Sequence, residues 1–281
     1  MDFLDLDPLL RQALGEDLGR GDITTDAILE RSGSLKGGAQ VQAKIVANEE
    51  FVLAGWPVFV RVFQLLGDIE DEAYFEEGSS VGRETVGRLS GAPSVVLKGE
   101  RVALNFLQRM SGVATQTRKY VSLIAHTSAK VLDTRKTTPL WRTLEKYAVR
   151  IGGGHNHRFG LDDGILIKEN HIAIGGGIEA AIDACRSQSA HLQKIEVEVK
   201  NLEELGQAIS AGADVVLLDN MTPRQVEEAV KIANGRCVLE VSGGVRESNI
   251  IEYAETGVDF ISLGVLTHSY RSVDMSLLLE V

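Results

Sequence analysis

The 281-residue sequence predicts an α/β protein whose first third is α+β and whose remainder is a parallel β/α barrel. After residue 100, six short apolar runs alternate with helical segments, a pattern typical of parallel sheets. Several of these runs end in a polar residue or glycine, as strands do at the ligand-binding edge of such folds. Glu196 and Glu198 share one face of a run, which suits a barrel mouth better than a helix-covered flat sheet. The six predicted strand–helix units are fewer than the eight of a closed β/α barrel, so we expect an incomplete barrel.

The first third contains mixed elements. The spacing of apolar residues predicts helices over 5–18 and 56–66, and Thr24–Asp26 is a candidate helix start. Residues 38–47 alternate apolar and polar positions, which predicts a strand with one wet face. Glycines and Pro93 divide 72–98 into short predicted strands.

The remaining elements follow in regular order. A long helix is predicted over 101–126. Strands are expected at 130–133, 164–168, 194–199, 214–219, 237–242 and 258–264, and helices near 140–150, 175–189, 202–211, 222–234 and 246–256.

Composition excludes several classes of protein. The net charge of −11 disfavours general binding to nucleic acids or anionic membranes. No apolar run reaches the roughly 18 residues of a membrane span, and the N-terminus lacks the basic and apolar parts of a signal peptide. Cys185 and Cys237 lie far apart and are expected to be buried, reduced core residues. We therefore expect a cytoplasmic protein.

Basic residues nevertheless outnumber acidic ones between Arg135 and His171. The loop Asp133–Thr138 offers Arg135, which can grip a carboxylate with two parallel bonds, and Lys136, a point charge for phosphate. Gly152–Arg158 combines three glycines with His157 and Arg158, and is either a ligand loop or a glycine helix stop. Three further cations, spaced four apart, predict a solvated helix face: Arg142, Lys146 and Arg150. A zinc site of His155, His157 and His171 is disfavoured by the neighbouring cations.

Later strands end in acids and then in glycines. Lys168 ends an apolar strand, where it either binds an anion or forms a Schiff base. Glu198 and Asp219 end the next two strands and suit Mg²⁺ bound with substrate phosphates. Ser242–Gly244 and the Gly264–His268 turn end the last two strands, where backbone N–H groups bind phosphate. His268 either donates to a phosphate or caps its loop. Together these groups predict a site for a polycarboxylate and a magnesium-bound polyphosphate sugar.

The sequence closely resembles the quinolinate phosphoribosyltransferases, and the match runs nearly end to end in the same order. It is carried by Glu16–Thr25, Glu100–Thr115, Asp133–Thr138, Lys146–Gly154, Asn156–Arg158, Leu166–His171, Glu196–Val199, Leu217–Asn220, Ser242–Gly244 and Leu266–Ser269. Two departures are visible. Pro139-Leu140 stands where the family usually has Pro-Gly, and Glu169 stands where Asp is common.

The resemblance implies an N-terminal α/β sandwich (1–110, completed by 268–281) and an open barrel of the nicotinate phosphoribosyltransferase type (111–267). It also implies a homodimer that joins quinolinate to phosphoribosyl pyrophosphate, releasing CO₂ and pyrophosphate, in NAD biosynthesis. The implied quinolinate residues are Arg135, His157, Arg158, Lys168 and, from the other subunit, Arg101. The implied phosphoribosyl pyrophosphate residues are Thr134, Lys136, Glu198, Asp219, Ser242, Gly243, Gly244, Gly264 and His268. The implied catalytic residues are Lys136, Lys168, Glu198 and Asp219, the two acids also holding Mg²⁺.

Other functions stay open from the residues alone. A related phosphoribosyltransferase with another acceptor base is the nearest alternative. A Schiff-base aldolase using Lys168 and a non-catalytic protein that binds phosphorylated sugars are the others.

Overall fold

The computed structural model describes residues 6–32 and 39–280. By their contacts these residues divide into two compact units. The first comprises Met1–Gln116, Thr143–Gly152 and Tyr270–Val281, and the second comprises Thr117–Arg142 and Gly153–Ser269. The sequence assigned 143–152 to the barrel, whereas the contacts place this segment with the first unit. No described helix is both long and apolar enough to cross a bilayer.

The first unit is built on an antiparallel sheet with the order β12-β1-β5-β3. Its strands are β1 (Val41–Ala47), β3 (Ile69–Ala73), β5 (Thr85–Gly91) and β12 (Met275–Glu280), and a small pair is formed by β2 (Phe51–Val52) and β4 (Ser80–Val81). Its helices are α1 (Asp7–Leu18), α2 (Ile23–Ser32), α3 (Trp56–Gln64), the first part of α4 (Pro93–Leu123) and α5 (Arg142–Ile151). The first residue of α5, Arg142, is counted with the second unit.

Alternating burial explains how this sheet packs. Ala43, Ile45 and Ala47 of β1 are buried while the residues between them are not, which confirms the predicted one-sided strand. A Cβ on Gly87 of β5 would lie 2.5 Å from the Trp56 ring, so glycine lets the apolar helix α3 approach the sheet.

Two predictions in this unit are wrong. Residues 93–98 begin helix α4 and are not part of a strand, because Pro93 is a favourable first helical residue rather than only a chain breaker. The expected solvated face of α5 is also not observed, since Lys146 is 3% exposed. Arg150 is exposed and lies 5.9 Å from the ring centre of Tyr147.

The second unit is a six-stranded, wholly parallel sheet with the order β6-β11-β10-β9-β8-β7. Its strands are β6 (Lys130–Leu132), β7 (Ile165–Ile167), β8 (Ile195–Val199), β9 (Val215–Asp219), β10 (Val238–Ser242) and β11 (Phe260–Ser262). Its helices are α6 (Glu169–Gly175), α7 (Ile178–Gln188), α8 (Leu202–Ser210), α9 (Pro223–Ala233), α10 (Ile250–Ala254) and α11 (Val265–His268). The edge strands β6 and β7 do not pair with each other, so the predicted open α/β barrel is confirmed.

Strand register decides which side chains share the inner face. Glu198 is level with Leu217, which is level with Glu240, and Asp219 is level with Ser242. Intervening residues such as Val197, Val216 and Val241 are fully buried on the opposite face. The acids of three neighbouring strands therefore lie on one face, as the alternation of β8 predicted.

Helix prediction is less accurate here. The predicted helix at 246–256 is only Ile250–Ala254, and the short helices α6 and α11 are additional. Cys185 and Cys237 are free, as expected, but half-buried rather than buried.

Candidate active site at the carboxyl edge of the parallel sheet

A fully buried carboxylate organises the first corner of the site. Asp133, directly after β6, is 0% exposed. Its Oδ1 accepts the backbone N–H of His157 at 2.9 Å, and its Oδ2 accepts the Asn156 amide at 2.5 Å. Such charge-assisted bonds offset the desolvation cost of a buried carboxylate. Through them Asp133 fixes the position of the loop that carries His157 and Arg158.

Two guanidinium groups lie near each other on the loops of this corner. The charge of Arg135 adds to burial in lowering the pKa of Arg158. Arg158 donates to the Gly164 carbonyl at 2.8 Å, and Arg142 donates to the carbonyls of Arg135 and Phe159. Arg142, half-exposed at the start of α5, thus ties the two loops together. Clustered cations of this kind suit a ligand with more than one negative charge.

Lys168 and Glu198 form the next part of the edge. Lys168 follows β7, and its Nζ lies 2.7 Å from Glu198 Oε2 on β8. The Lys168 backbone N–H donates to His171 Nδ1 at 2.9 Å, which anchors the start of α6. The Lys168 side chain is 48% exposed, so its ion pair with Glu198 adds little to the stability of the fold. Stability therefore does not explain why a lysine ends this apolar strand.

Asp219 and the Ser242 turn lie at the ends of β9 and β10. Asn220 has a left-handed φ of 53°. Its side-chain amide donates to Asp219 Oδ1 at 3.0 Å, and its backbone N–H donates to the Ser242 carbonyl at 2.9 Å. Gly243 and Gly244 both have positive φ. A Cβ on Gly243 would overlap the Asn220 amide, so the turn requires glycine there.

This overlap predicts a large effect of Gly243→Ala. We expect a loss of about 2 kcal/mol or more in the free energy of unfolding, since left-handed strain and the clash add together. Gly235 also has positive φ (73°), but a Cβ there meets no atom within 4 Å. Gly235→Ala is therefore a matched control that should lose only about 1–2 kcal/mol. Urea unfolding of both variants measures the difference, and equal losses would contradict the role given to Asn220.

The last glycine turn packs against the Asp133–Thr138 loop. A Cβ on Gly264 would lie 2.9 Å from Lys136 Cδ and 3.0 Å from the His268 ring. The Thr267 hydroxyl donates to the Lys136 carbonyl at 2.8 Å, and the Lys136 N–H donates to Thr134 Oγ1 at 3.0 Å. A lysine, a histidine and a glycine turn thus meet at one place, which is chemistry suited to phosphate.

A buried cluster of His157, Glu196 and Glu240 lies on the inner face of the sheet. His157 Nε2 is 3.1 Å from Glu196 Oε2 and 3.7 Å from Glu240 Oε1. Burial, with repulsion by Glu196, raises the pKa of Glu240 to about 8, although His157 opposes the shift. Glu240 therefore holds a proton at neutral pH.

The raised pKa predicts a pH-dependent cost in stability. Below pH 4.5 the Glu240 carboxyl is protonated in both states. Between pH 4.5 and about 8 only the folded state keeps the proton, so the free energy of unfolding falls as pH rises, by at most about 1.4 kcal/mol per pH unit. Glu240→Gln removes this term, so its stability relative to the parent chain should increase from pH 5 to pH 8. Chemical denaturation across that range tests this, and a constant difference would contradict it.

Family comparisons agree with this geometry. Residues 22–111 match the domain described as "Quinolinate phosphoribosyl transferase, N-terminal domain", and residues 113–278 match its C-terminal domain. The chain belongs to the quinolinate phosphoribosyl transferase family. This confirms the resemblance seen in the sequence.

Individual relatives cover almost the whole chain. A probable carboxylating nicotinate-nucleotide pyrophosphorylase of Bacillus subtilis is 42% identical over 279 residues, covering 99% of this chain and 94% of the relative. The NadC crystal structure from Streptococcus pyogenes has a TM-score of 0.94 at 39% identity, covering 100% of this chain and 98% of that one. A nicotinate-nucleotide pyrophosphorylase structure from Francisella tularensis has a TM-score of 0.92 at 41% identity, with the same coverage.

Arg101 and Leu140 are two further positions that the sequence singled out. Arg101 lies on helix α4 in the first unit, with its guanidinium 3.8 Å from Glu100 and its side chain 60% exposed. Leu140, where the quinolinate phosphoribosyl transferases usually have glycine, has a φ of 66°. Leu140 therefore adopts a left-handed backbone conformation, at a strain of about 1–2 kcal/mol.

The sequence missed two residues of this site, Glu240 and Asn220. Glu240 lies two positions before Ser242, and strand alternation signals its inward direction. Asn220 follows Asp219 in the Leu217–Asn220 motif, and the only sequence signal for its positive φ is that Asn tolerates this conformation better than most residues. Within the described residues the potential metal-ligand group is His157, Glu196 and Glu240, which shares only His157 with the disfavoured set of three histidines.

Proposed function

We propose that this chain catalyses phosphoribosyl transfer from phosphoribosyl pyrophosphate to quinolinate, with decarboxylation, giving nicotinate mononucleotide, pyrophosphate and CO₂ for NAD biosynthesis. Family membership supports the reaction. The observation that carries it is a set of cations at one sheet edge, where the charge of Arg135 helps to lower the pKa of Arg158 and Lys168 pairs with Glu198, together with two acids and two glycine turns at the same strand ends. A dicarboxylate neutralises the cations, and a polyphosphate sugar suits the turns.

The quinolinate clamp uses the planar guanidinium groups. Arg135 and Arg158 each present paired N–H donors to a carboxylate, and Lys168 leaves Glu198 to contact the ligand as a point charge. His157 forms part of the wall of this pocket. The clamp orients the pyridine nitrogen towards C1 of the ribose. Holding the two reacting atoms in this orientation lowers the entropic part of the activation barrier.

The phosphoribosyl donor occupies the opposite part of the edge. Thr134, Lys136 and His268 contact its phosphates together with the N–H groups of Ser242–Gly244 and Gly264. Glu198 and Asp219 carry hard oxygen donors at neighbouring strand ends, which fits Mg²⁺ held jointly with pyrophosphate. When bound, Mg²⁺ supplies positive charge that stabilises the departing pyrophosphate.

The chemistry needs no redox step. The bond from C1 to the pyrophosphate oxygen breaks, and the C1 centre, positively charged in the transition state, is stabilised by Glu198 or Asp219 as the pyridine nitrogen forms the new bond. The bond between C2 and its carboxylate then breaks and CO₂ departs; its electron pair stays on C2, stabilised by the positive charge of the adjacent pyridinium nitrogen, and takes a proton from solvent.

Assembly and location remain predictions. We propose a homodimer in which Arg101 of each subunit reaches the other subunit's quinolinate, and a cytoplasmic location. Sedimentation measurements, and restoration of activity on mixing Arg101→Ala with Arg135→Ala chains, test the shared site.

A labelled-substrate assay tests the reaction. With quinolinate labelled in the C2 carboxylate, we expect equimolar CO₂ and pyrophosphate that depend on Mg²⁺, and no pyrophosphate with nicotinate. Pyrophosphate release with nicotinate but not with quinolinate would instead favour the alternative acceptor. Borohydride trapping of a carbonyl substrate on Lys168 would favour the aldolase.

A further inference from the structure

Both ring nitrogens of His157 are engaged within the second unit. Nδ1 accepts the backbone N–H of Arg158 at 2.7 Å, and Nε2 lies 3.1 Å from Glu196 Oε2. A nitrogen that accepts an N–H carries a lone pair, so the ring proton is on Nε2 and is directed at the carboxylate. This geometry describes a neutral imidazole held at both ends.

Two carboxyl groups lie beneath this ring. Glu196 is 8% and Glu240 is 3% exposed, and within the described residues the Oε1 atom of each has no hydrogen-bond partner. They project from β8 and β10, on either side of β9, whose intervening inner residues are Val215 and Leu217. Burying two carboxyl groups is costly, so a pair retained here is expected to serve a neighbouring group. That neighbour is His157.

We propose that Glu196 and Glu240 are positioning residues for quinolinate, which hold His157 as a neutral Nε2–H imidazole in one fixed orientation. This inference rests on the proposed function, in which His157 lines the quinolinate pocket. The charge of the dicarboxylate is then met by Arg135, Arg158 and Lys168, whereas His157 contributes a rigid wall that sets the position of the ring.

A metal ion is the competing explanation, since ligand atoms of His157, Glu196 and Glu240 lie within 4.8 Å of one another. A metal on Nε2 would displace the proton that the present geometry places there. The nitrogen state of His157 therefore separates the two explanations.

Nitrogen-15 NMR of the intact chain measures that state directly. The protein would be labelled at histidine, and the His157 signals assigned by their loss in His157→Ala. At neutral pH without substrates we expect a protonated Nε2 and a bare Nδ1. An imidazolium, a proton on Nδ1, or a stoichiometric divalent metal in the purified protein would overturn the proposal. Because this readout needs no turnover, it stands even if quinolinate is not the substrate.

Kinetics test the positioning role. Glu196→Leu removes the acceptor and should raise KM for quinolinate about tenfold or more, the size of one lost buried hydrogen bond, with KM for phosphoribosyl pyrophosphate changed less than about twofold. Glu196→Gln retains a carbonyl acceptor and should restore most of the affinity. Equal changes in both KM values, or no rescue by glutamine, would show a merely structural role.

Discussion

Arg135→Ala should lower kcat/KM for quinolinate by about 100- to 1000-fold, a loss of about 3–4 kcal/mol in transition-state binding. The side chain is exposed, and within the described part of the chain it forms no salt bridge. Its carbonyl, not its guanidinium, accepts the bond from Arg142. Since Arg135 repels Arg158, its removal should leave the free energy of unfolding unchanged or slightly higher. Steady-state kinetics and urea unfolding on the same samples measure both effects.

Two variants sharpen this experiment. Arg135→Lys keeps the charge but loses the planar fork, so it should recover only part of the activity. Arg224→Ala removes an 89% exposed arginine from α9 and should leave both activity and stability near the parent values. Wild-type turnover of quinolinate by Arg135→Ala would contradict the carboxylate clamp.

The strand–helix alternation and the inner face of the barrel were accessible from the sequence because they depend on local periodicity. Alternation in residues 194–199 placed Glu196 and Glu198 on one face, and the ends of successive runs identified Lys168, Asp219 and Ser242. These inferences need only the knowledge that parallel strands end at a common edge. The fold class was predicted correctly for that reason, whereas the family was predicted from the resemblance of motifs along the chain.

Long-range neighbours were not accessible in this way. Lys146 looked exposed because its spacing from Arg142 and Arg150 fits a helix face, yet tertiary packing buries it. Glu196 was read as a mouth residue, whereas its partner His157 comes from a loop 39 residues earlier and covers it. Which charged groups share a pocket depends on such contacts, and periodicity carries no information about them.

Lys168→Ala should lower kcat/KM for quinolinate by about 100-fold or more, because the ammonium faces both Glu198 and the proposed dicarboxylate. Glu198→Ala should cause a loss of similar size, and it should also weaken the dependence on Mg²⁺. Since the two side chains are 2.7 Å apart, their effects should not add. We expect the double variant to be less impaired than the product of the single losses, as measured in a double-mutant cycle with both substrates varied.

Lys168→Arg supplies the matched control for this cycle. The guanidinium keeps the positive charge beside Glu198 but cannot form a Schiff base under turnover conditions. Retained activity clearly above that of Lys168→Ala would assign an electrostatic role to Lys168, whereas complete loss together with borohydride trapping in the parent chain would assign a covalent one. Strict additivity of the two alanine substitutions would mean that the contact between Lys168 and Glu198 has no part in binding. The proposed transfer of the ammonium group from Glu198 to the substrate would then be wrong, even if each side chain were needed by itself.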